Sequence, residues 1–582
     1  MIFLRHSAPR LAILAVVLGL GALATPSLRP LWADKNARDE RDGIGSRVEM
    51  MEVLPVSKVA RGLGFNLKFS NEWEFARARE VGASEARMQF DWPAVEKQRG
   101  QLKLTPQMAC ALDLCVQNRL EPLVLAAYGP RALPIGELTV AADVAAGSYE
   151  IPVRGAALSR LNPPFCHLLR GDGKQIVAEG KWAYYGALID RVDARSGTIQ
   201  LAAKTNLDLP AGAVLRVNRL LYASVATSDA DDASLVAYGR YARFLAREIA
   251  ARGLQGRVEL WNEPPWSHDR WDARGGFYDT PPRGISAVSP NPGMLDQFLN
   301  GEAPPGGVSF VWGGSHKSGG RGLGARRGEL SASQLRNVSA DALHPYGDSP
   351  ESHAWNPQAL RAGEKFSDLA LIGANAQSNL KVLRQNQIAA QKRGDLAPRI
   401  VASEVGHPGS DETQNTRYNL RAFLIYLSLG IDRINFYKLA DKPGKFGFID
   451  EPTQAPKLAF RSFKALMAQI DALPDAPTRF DAEAVPSVSA VRGTFPLTVI
   501  PIAAKDRWLM VTYQRTFAAA PQKWDDVPSP ASANVQLRVP DGYRVQKVWN
   551  LVSGDAVDFE TSRGAVSYGV SDDPIAVDLA AF

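Results

Sequence analysis

The sequence predicts an α/β chain built on a (β/α)8 TIM barrel, with an inserted small β-domain and a C-terminal β-sandwich. Three observations lead there. Eight short apolar runs alternate with helix-period stretches between Gly62 and Lys438, the pattern of parallel strands joined by crossover helices. The rhythm breaks once, over residues 137–222, where short strands are punctuated by Ala-Gly and Ser-Gly turns. Beyond Pro474 only strand-like segments remain, as in a sandwich.

In chain order, Arg5, His6 and Arg10 precede the apolar stretch Leu11–Ala24. Its ~14 residues fall short of the ~20 a membrane helix needs, and Ala22-Leu23-Ala24 fits a small-x-small cleavage site. Residues 1–24 are therefore read as a signal peptide and 25–54 as a linker, with export to the periplasm or beyond. An uncleaved anchor is the competing reading, and the only route by which the chain would meet a membrane.

The barrel is assigned to 55–136 and 223–472. Its strands are Gly62–Leu67, Ala86–Trp92, Glu121–Tyr128, Arg257–Trp261, Ser309–Gly313, Ala342–Tyr346, Ile400–Glu404 and Ile434–Lys438. Helices are expected over Glu72–Val81 (N-capped by Asn71), Thr105–Asn118, Ala233–Arg252, Ser367–Arg393 and Thr416–Leu429. The inserted domain, 137–222, has strands at Glu137–Ala141, Tyr149–Val153, Lys174–Ala178, Thr198–Ala202 and Val214–Val217. The sandwich, 473–582, has them at Leu497–Ile502, Trp508–Tyr513, Ala533–Val539, Val545–Leu551 and Ile575–Leu579.

Composition narrows the function. A net charge of +6 over 582 residues, without any Lys/Arg run, gives no basis for nucleic-acid binding. Three cysteines make no disulfide framework, and Cys110, Cys115 and Cys166 are read as small buried hydrophobes. The seven histidines are scattered, with no HExxH or CxxC, so neither a metal nor an organic cofactor is expected. The run Gly319–Gly324 lacks the strand-to-helix setting of a nucleotide site and reads as a loop.

In barrels of this kind chemistry gathers at the C-terminal strand ends. Those ends carry Arg87 and Asp91-Trp92 on the second strand, Tyr128 on the third, and Trp261-Asn262-Glu263-Pro264 on the fourth. His344-Pro345-Tyr346 ends the sixth, Glu404 the seventh and Phe436-Tyr437-Lys438 the eighth. Two carboxyls at the mouth, Glu263 and Glu404, are what hydrolysis of a glycoside with retention demands. Trp261, Trp266 and Tyr437 offer faces for sugar stacking, with Trp271, Phe277, Tyr278, Trp312 and Trp355 as further candidates. Structural roles compete for several of these: Arg87 as an ion pair, His344 as a core histidine, any Trp as core.

These residues resemble the clan A retaining (β/α)8 glycoside hydrolases. Trp261-Asn262-Glu263-Pro264 is similar to the strand-four motif of that clan, and Ala402-Ser403-Glu404-Val405-Gly406 to its strand-seven motif. Glu80-Val-Gly-Ala-Ser, Arg87-Met-Gln-Phe-Asp-Trp92, His344-Pro345-Tyr346 and the trailing β-domain look most like glycoside hydrolase family 39. The insertion, and Phe436-Tyr437 where many relatives place a Trp, depart from that pattern.

The resemblance implies Glu263 as acid/base and Glu404 as nucleophile in a double displacement, with carboxyls ~5–5.5 Å apart. It also implies Arg87 holding Glu404 ionised, Asn262 bonding the hydroxyl beside the anomeric carbon, and His344 and Tyr346 orienting Glu404 or contacting sugar. The expected partner is a β-linked polysaccharide or oligosaccharide, cut internally. An exo-acting β-xylosidase-like enzyme and a non-catalytic carbohydrate-binding protein of polysaccharide export are the alternatives.

Overall fold

The structure is a computed structural model. It describes residues 48–127, 132–161, 166–172, 176–177, 189–201, 204–220, 232–262, 292–315, 330–345, 388, 399–407, 411–442, 446–474, 485–492, 497–514 and 533–582. Eight parallel strands close into a barrel: β1 (Leu63–Asn66), β2 (Glu85–Asp91), β3 (Glu121–Ala127), β4 (Arg257–Leu260), β5 (Ser309–Ser315), β6 (Val338–Leu343), β7 (Arg399–Val405) and β8 (Arg433–Phe436). Closure comes from β8 beside β1, with Ile434 opposite Leu63. Seven lie within about two residues of the predicted apolar runs; the sixth, expected at Ala342–Tyr346, begins four residues earlier, at Val338, and ends at Leu343.

Around the barrel run α1 (Glu72–Glu80), α2 (Pro106–Asn118), α3 (Asp232–Ala250), α4 (Pro292–Leu299), α5 (Ala332–Asn337), α6 (Glu412–Ser428) and α7 (Leu458–Asp471). Caps explain several starts. Thr105 accepts from the Met108 amide at 3.2 Å, and Asp411 from the Gln414 amide at 2.8 Å. Asn71, expected to cap α1 in the same way, does not; its Nδ2 donates to Glu74 Oε1 at 2.8 Å, inside the helix's first turn. The expected helix Ser367–Arg393 lies outside the described residues apart from residue 388.

The barrel interior is divided. Leu123, Val311, Ala340, Ala342 and Val401 form an apolar cluster on one side. Glu85, Arg87, Glu259, Ser403, His344 and Asn435 are buried polar groups contributed by β2, β4, β7, β8 and the end of β6. A buried polar set of this size is stable only when its members satisfy one another: Arg87, Glu259, Ser403 and His344 bond among themselves in the site described below, while Asn435 Nδ2 donates to Glu85 Oε1 at 2.6 Å nearer the other end of the barrel.

The inserted segment is a six-stranded antiparallel sheet. Its strands follow the order Cys166–Arg170, Val214–Leu220, Ala132–Val140, Glu150–Arg154, Thr198–Leu201, Ile189–Asp193. Leu138, Ile151, Leu168, Ile199 and Leu215 build a core of its own, separate from that of the barrel. Cys166–Arg170 and Ile189–Asp193 were not expected as strands. Most of the expected strand Lys174–Ala178 lies outside the described residues.

At the C-terminus, two antiparallel-dominated sheets face each other across Leu497, Val499, Met510, Val535, Leu537 and Val577. Alternation along Leu497–Ala503 turns Ile500 and Ile502 the other way, into the main core shared with the barrel. Val48–Met50, inside the segment read as a linker, is a strand of this sandwich, pairing parallel to Leu497–Val499. No helix among the described residues is long and apolar enough to cross a membrane. The three cysteines are free; Cys115 and Cys166 are buried as expected, while Cys110 is half-buried.

Candidate active site

Arg87 organises the C-terminal mouth. As the third residue of β2 it points inward, where its guanidinium is 4% exposed and makes four short hydrogen bonds. Nε donates to Glu259 Oε2 at 2.6 Å, and Nη1 to Asn66 Oδ1 at 2.6 Å and Glu404 Oε1 at 2.7 Å. Nη2 donates to Asn262 Oδ1 at 3.1 Å. Burial works against its positive charge, but the carboxylates of Glu259 and Glu404 outweigh that and raise its pKa above the ordinary arginine value.

Local backbone breaks bring the partners in. In an unbroken strand Ser403 and Glu404 would point to opposite faces. The pairing of β7 with β8 shifts register between Ala402 and Val405. Both side chains therefore reach the same network: Ser403 Oγ donates to Glu259 Oε1 at 2.9 Å, and Glu404 meets Arg87. On β4 the chain turns sharply at Trp261, whose φ of 70° lies in the left-handed region. That turn directs Asn262 towards Arg87. It also needs Gly313, because a Cβ there would overlap the carbonyl oxygens of Leu260 and Trp261.

His344 completes the buried set. Its Nε2 lies 3.1 Å from Ser403 Oγ. Since that hydroxyl gives its proton to Glu259, Nε2 is the donor. Nδ1 then faces Glu404 Oε2 at 3.8 Å. Asn66 Nδ2 bonds the Ser403 carbonyl at 3.0 Å, tying β1 to β7. Glu404 is the most open member, its side chain 14% exposed against 0% for Glu259. The Glu404 carboxylate thus faces the mouth, held from behind by Arg87 at 2.7 Å, the geometry of a preorganised nucleophile or electrostatic stabiliser.

Of the expected residues, Arg87, Asn262, His344 and Glu404 are brought together. Tyr437 stands at the rim, 38% exposed and edge-on to Phe446 at 6.4 Å, and burial followed by the charge of Glu404 pushes its phenol pKa up. Glu263, Trp266, Tyr346, Tyr128, Trp271, Phe277, Tyr278 and Trp355 lie outside the described residues. Trp261 is a correction: it is 4% exposed and packs edge-on against Tyr238 at 5.8 Å, so it offers no open face to a sugar. Trp92, stacked on Tyr241 at 5.5 Å, and Trp312, 2% exposed, are likewise core residues. Glu259 was missed, although a carboxylate inside an apolar strand, two residues from Arg257 and so on the same face, was the visible signal.

No family model matches the chain, and no curated protein matches it. Solved structures do show similarity. A family 39 glycoside hydrolase from Bacteroides cellulosilyticus WH2 is 11% identical over 91% of this chain and 82% of its own, with a TM-score of 0.49. A GH30 endoxylanase from Clostridium papyrosolvens C71 is 9% identical over 93% and 98%, with a TM-score of 0.48. Endo-glycoceramidase II from Rhodococcus sp. is 13% identical over 90% and 97%, with a TM-score of 0.37. Likeness at this level is one of outline, and the case for an activity rests on the side chains at the barrel mouth.

Proposed function

We propose that the chain is a retaining β-glycosidase acting on a polysaccharide or oligosaccharide. The observation that carries this reading is the Arg87 guanidinium, which holds Glu404 at 2.7 Å and Asn262 at 3.1 Å at the C-terminal mouth. An arginine so placed favours the ionised carboxylate, the form that attacks an anomeric carbon.

In the proposed mechanism Glu404 displaces the leaving oxygen to give a glycosyl-enzyme, while Glu263, next in sequence to Asn262, donates the proton. Water activated by Glu263 then breaks the glycosyl–Glu404 bond and restores both carboxyls. Asn262, oriented by Arg87, bonds the hydroxyl beside the anomeric carbon. His344 steadies Glu404 from behind. The apolar N-terminal segment Leu11–Ala24 supports export of the enzyme to meet such a substrate.

The test is a panel of β-linked glycans with product analysis by mass spectrometry, run on the native chain and on Glu404→Gln. Hydrolysis by the native chain and a loss of at least ~10³-fold in the variant are expected. Equal turnover by the two proteins would refute the assignment of Glu404.

A further inference from the structure

The opposite end of the barrel carries a second polar concentration that glycoside cleavage does not use. The first residues of β2, β3, β4, β7 and β8 are Glu85, Glu121, Arg257, Arg399 and Arg433. They gather at the N-terminal mouth, around a cavity of about 500 Å³ lined by Arg257, Arg336, Arg399, Arg433, Glu121 and Asp432, among others. A space of this size is in the range of small-molecule sites.

Three of the four arginines have carboxylate partners. Arg257 pairs with the fully buried Glu85, Arg433 Nη2 with Glu121 at 3.2 Å, and Arg399 Nη1 with Asp432 at 3.7 Å. Arg336, exposed on α5, has no ion pair among the described residues. Among the described residues, four guanidiniums here have three carboxylate partners, Glu85, Glu121 and Asp432. The Arg433 side chain is 11% exposed, and its Nε has no hydrogen-bond partner among the described residues. An orphaned donor on a buried guanidinium costs free energy unless an acceptor reaches it. Beside it, the hydroxyls of Ser309 and Ser339 bond each other at 2.7 Å, which leaves one of their two protons available to an outside acceptor.

Ion pairing that braces the barrel floor accounts for three of the four arginines, and leaves Arg336 and the cavity between the strand ends and α5 without a role. We propose that this N-terminal mouth is a binding site for a small ligand bearing a compact oxyanion, held by Arg433, Arg336 and Arg399 with help from the serine pair. Guanidinium forks suit such acceptors because two parallel N–H bonds meet two oxygens. A phosphate group and the carboxylate of a sugar acid share this chemistry.

Calorimetric titration of the full chain distinguishes them, with inorganic phosphate in one arm, glucuronate in the other, and potassium chloride at matched ionic strength as the blank. The Arg336→Ala/Arg399→Ala double variant changes only exposed side chains, and Arg538→Ala/Arg544→Ala, on the C-terminal sandwich, serves as the charge-matched control. Saturable binding of one anion, weakened at least tenfold in the first variant and unchanged in the control, is the expected result, and the anion that binds names the ligand class. Binding no different from chloride, or equal binding by both double variants, would overturn the proposal.

Discussion

Arg87 concentrates the risk at the scale of single residues. Its charge is compensated by two carboxylates, so Arg87→Met leaves Glu259 fully buried and without the arginine that pairs with it at 2.6 Å. Loss of one member of a buried pair costs about 3–5 kcal/mol, which denaturant unfolding measures directly, and activity falls with it. Glu74 gives a pH signature instead. Burial raises its pKa to about 7, against the lowering effect of bonds from Asn71 and the Lys68 amide. A carboxyl whose folded pKa is raised stabilises the fold below its unfolded value and loses that contribution as pH climbs through the folded one. The native chain therefore loses about 3 kcal/mol between roughly pH 4.5 and pH 7 from this group, at 1.36 kcal/mol per unit. Glu74→Gln flattens that slope in thermal melts at pH 5 and pH 8; an unchanged slope would rule Glu74 out as its source. Residue identities at the mouth were legible because titratable groups at strand ends stand out from apolar runs. Burial was not: Trp92 and Trp261 are covered by Tyr241 and Tyr238 of α3, more than a hundred residues from Trp92 in the chain.

Elements place those residues through two departures from regularity. The irregular pairing of β7 with β8 turns Ser403 and Glu404 into one network, and the left-handed turn at Trp261 swings Asn262 to Arg87. Strand positions follow from periodicity and could be read from sequence. A register shift has no such pattern, because it depends on how two distant strands meet. Gly313 tests the second device. A methyl group there has to displace the backbone of Leu260 and Trp261, and overpacking of this kind costs about 1–3 kcal/mol. Gly313→Ala should keep a cooperative melt while kcat drops at least tenfold, since Asn262 moves with that backbone. Native kcat in a destabilised variant would separate the turn from catalysis.

For the whole molecule, core continuity decides which parts stand alone. The inserted sheet has its own cluster around Ile151, Leu168 and Leu215, whereas Ile500, Leu509, Tyr513 and Trp549 of the sandwich belong to the barrel's core. Arg421 of α6 over the Tyr513 ring at 4.6 Å, and Arg417 paired with Asp573 at 2.6 Å, reinforce that junction. Residues 132–220 expressed alone should melt cooperatively, and a chain ending at 474 should aggregate with its apolar face bare. A soluble, cooperatively folding truncated barrel would contradict the shared core. Three regions were visible in the sequence as three rhythms of apolar residues; their unequal dependence was not, because it arises from which face of the Leu497–Ala503 strand meets the barrel helices.

The central claim is that Glu404 forms a covalent bond to the sugar, so that cleavage retains configuration. Proton NMR of the first-formed product, recorded on the best substrate of the glycan panel before mutarotation, tests it most directly. The account predicts the β-anomer from a β-linked substrate; the α-anomer appearing first would contradict it.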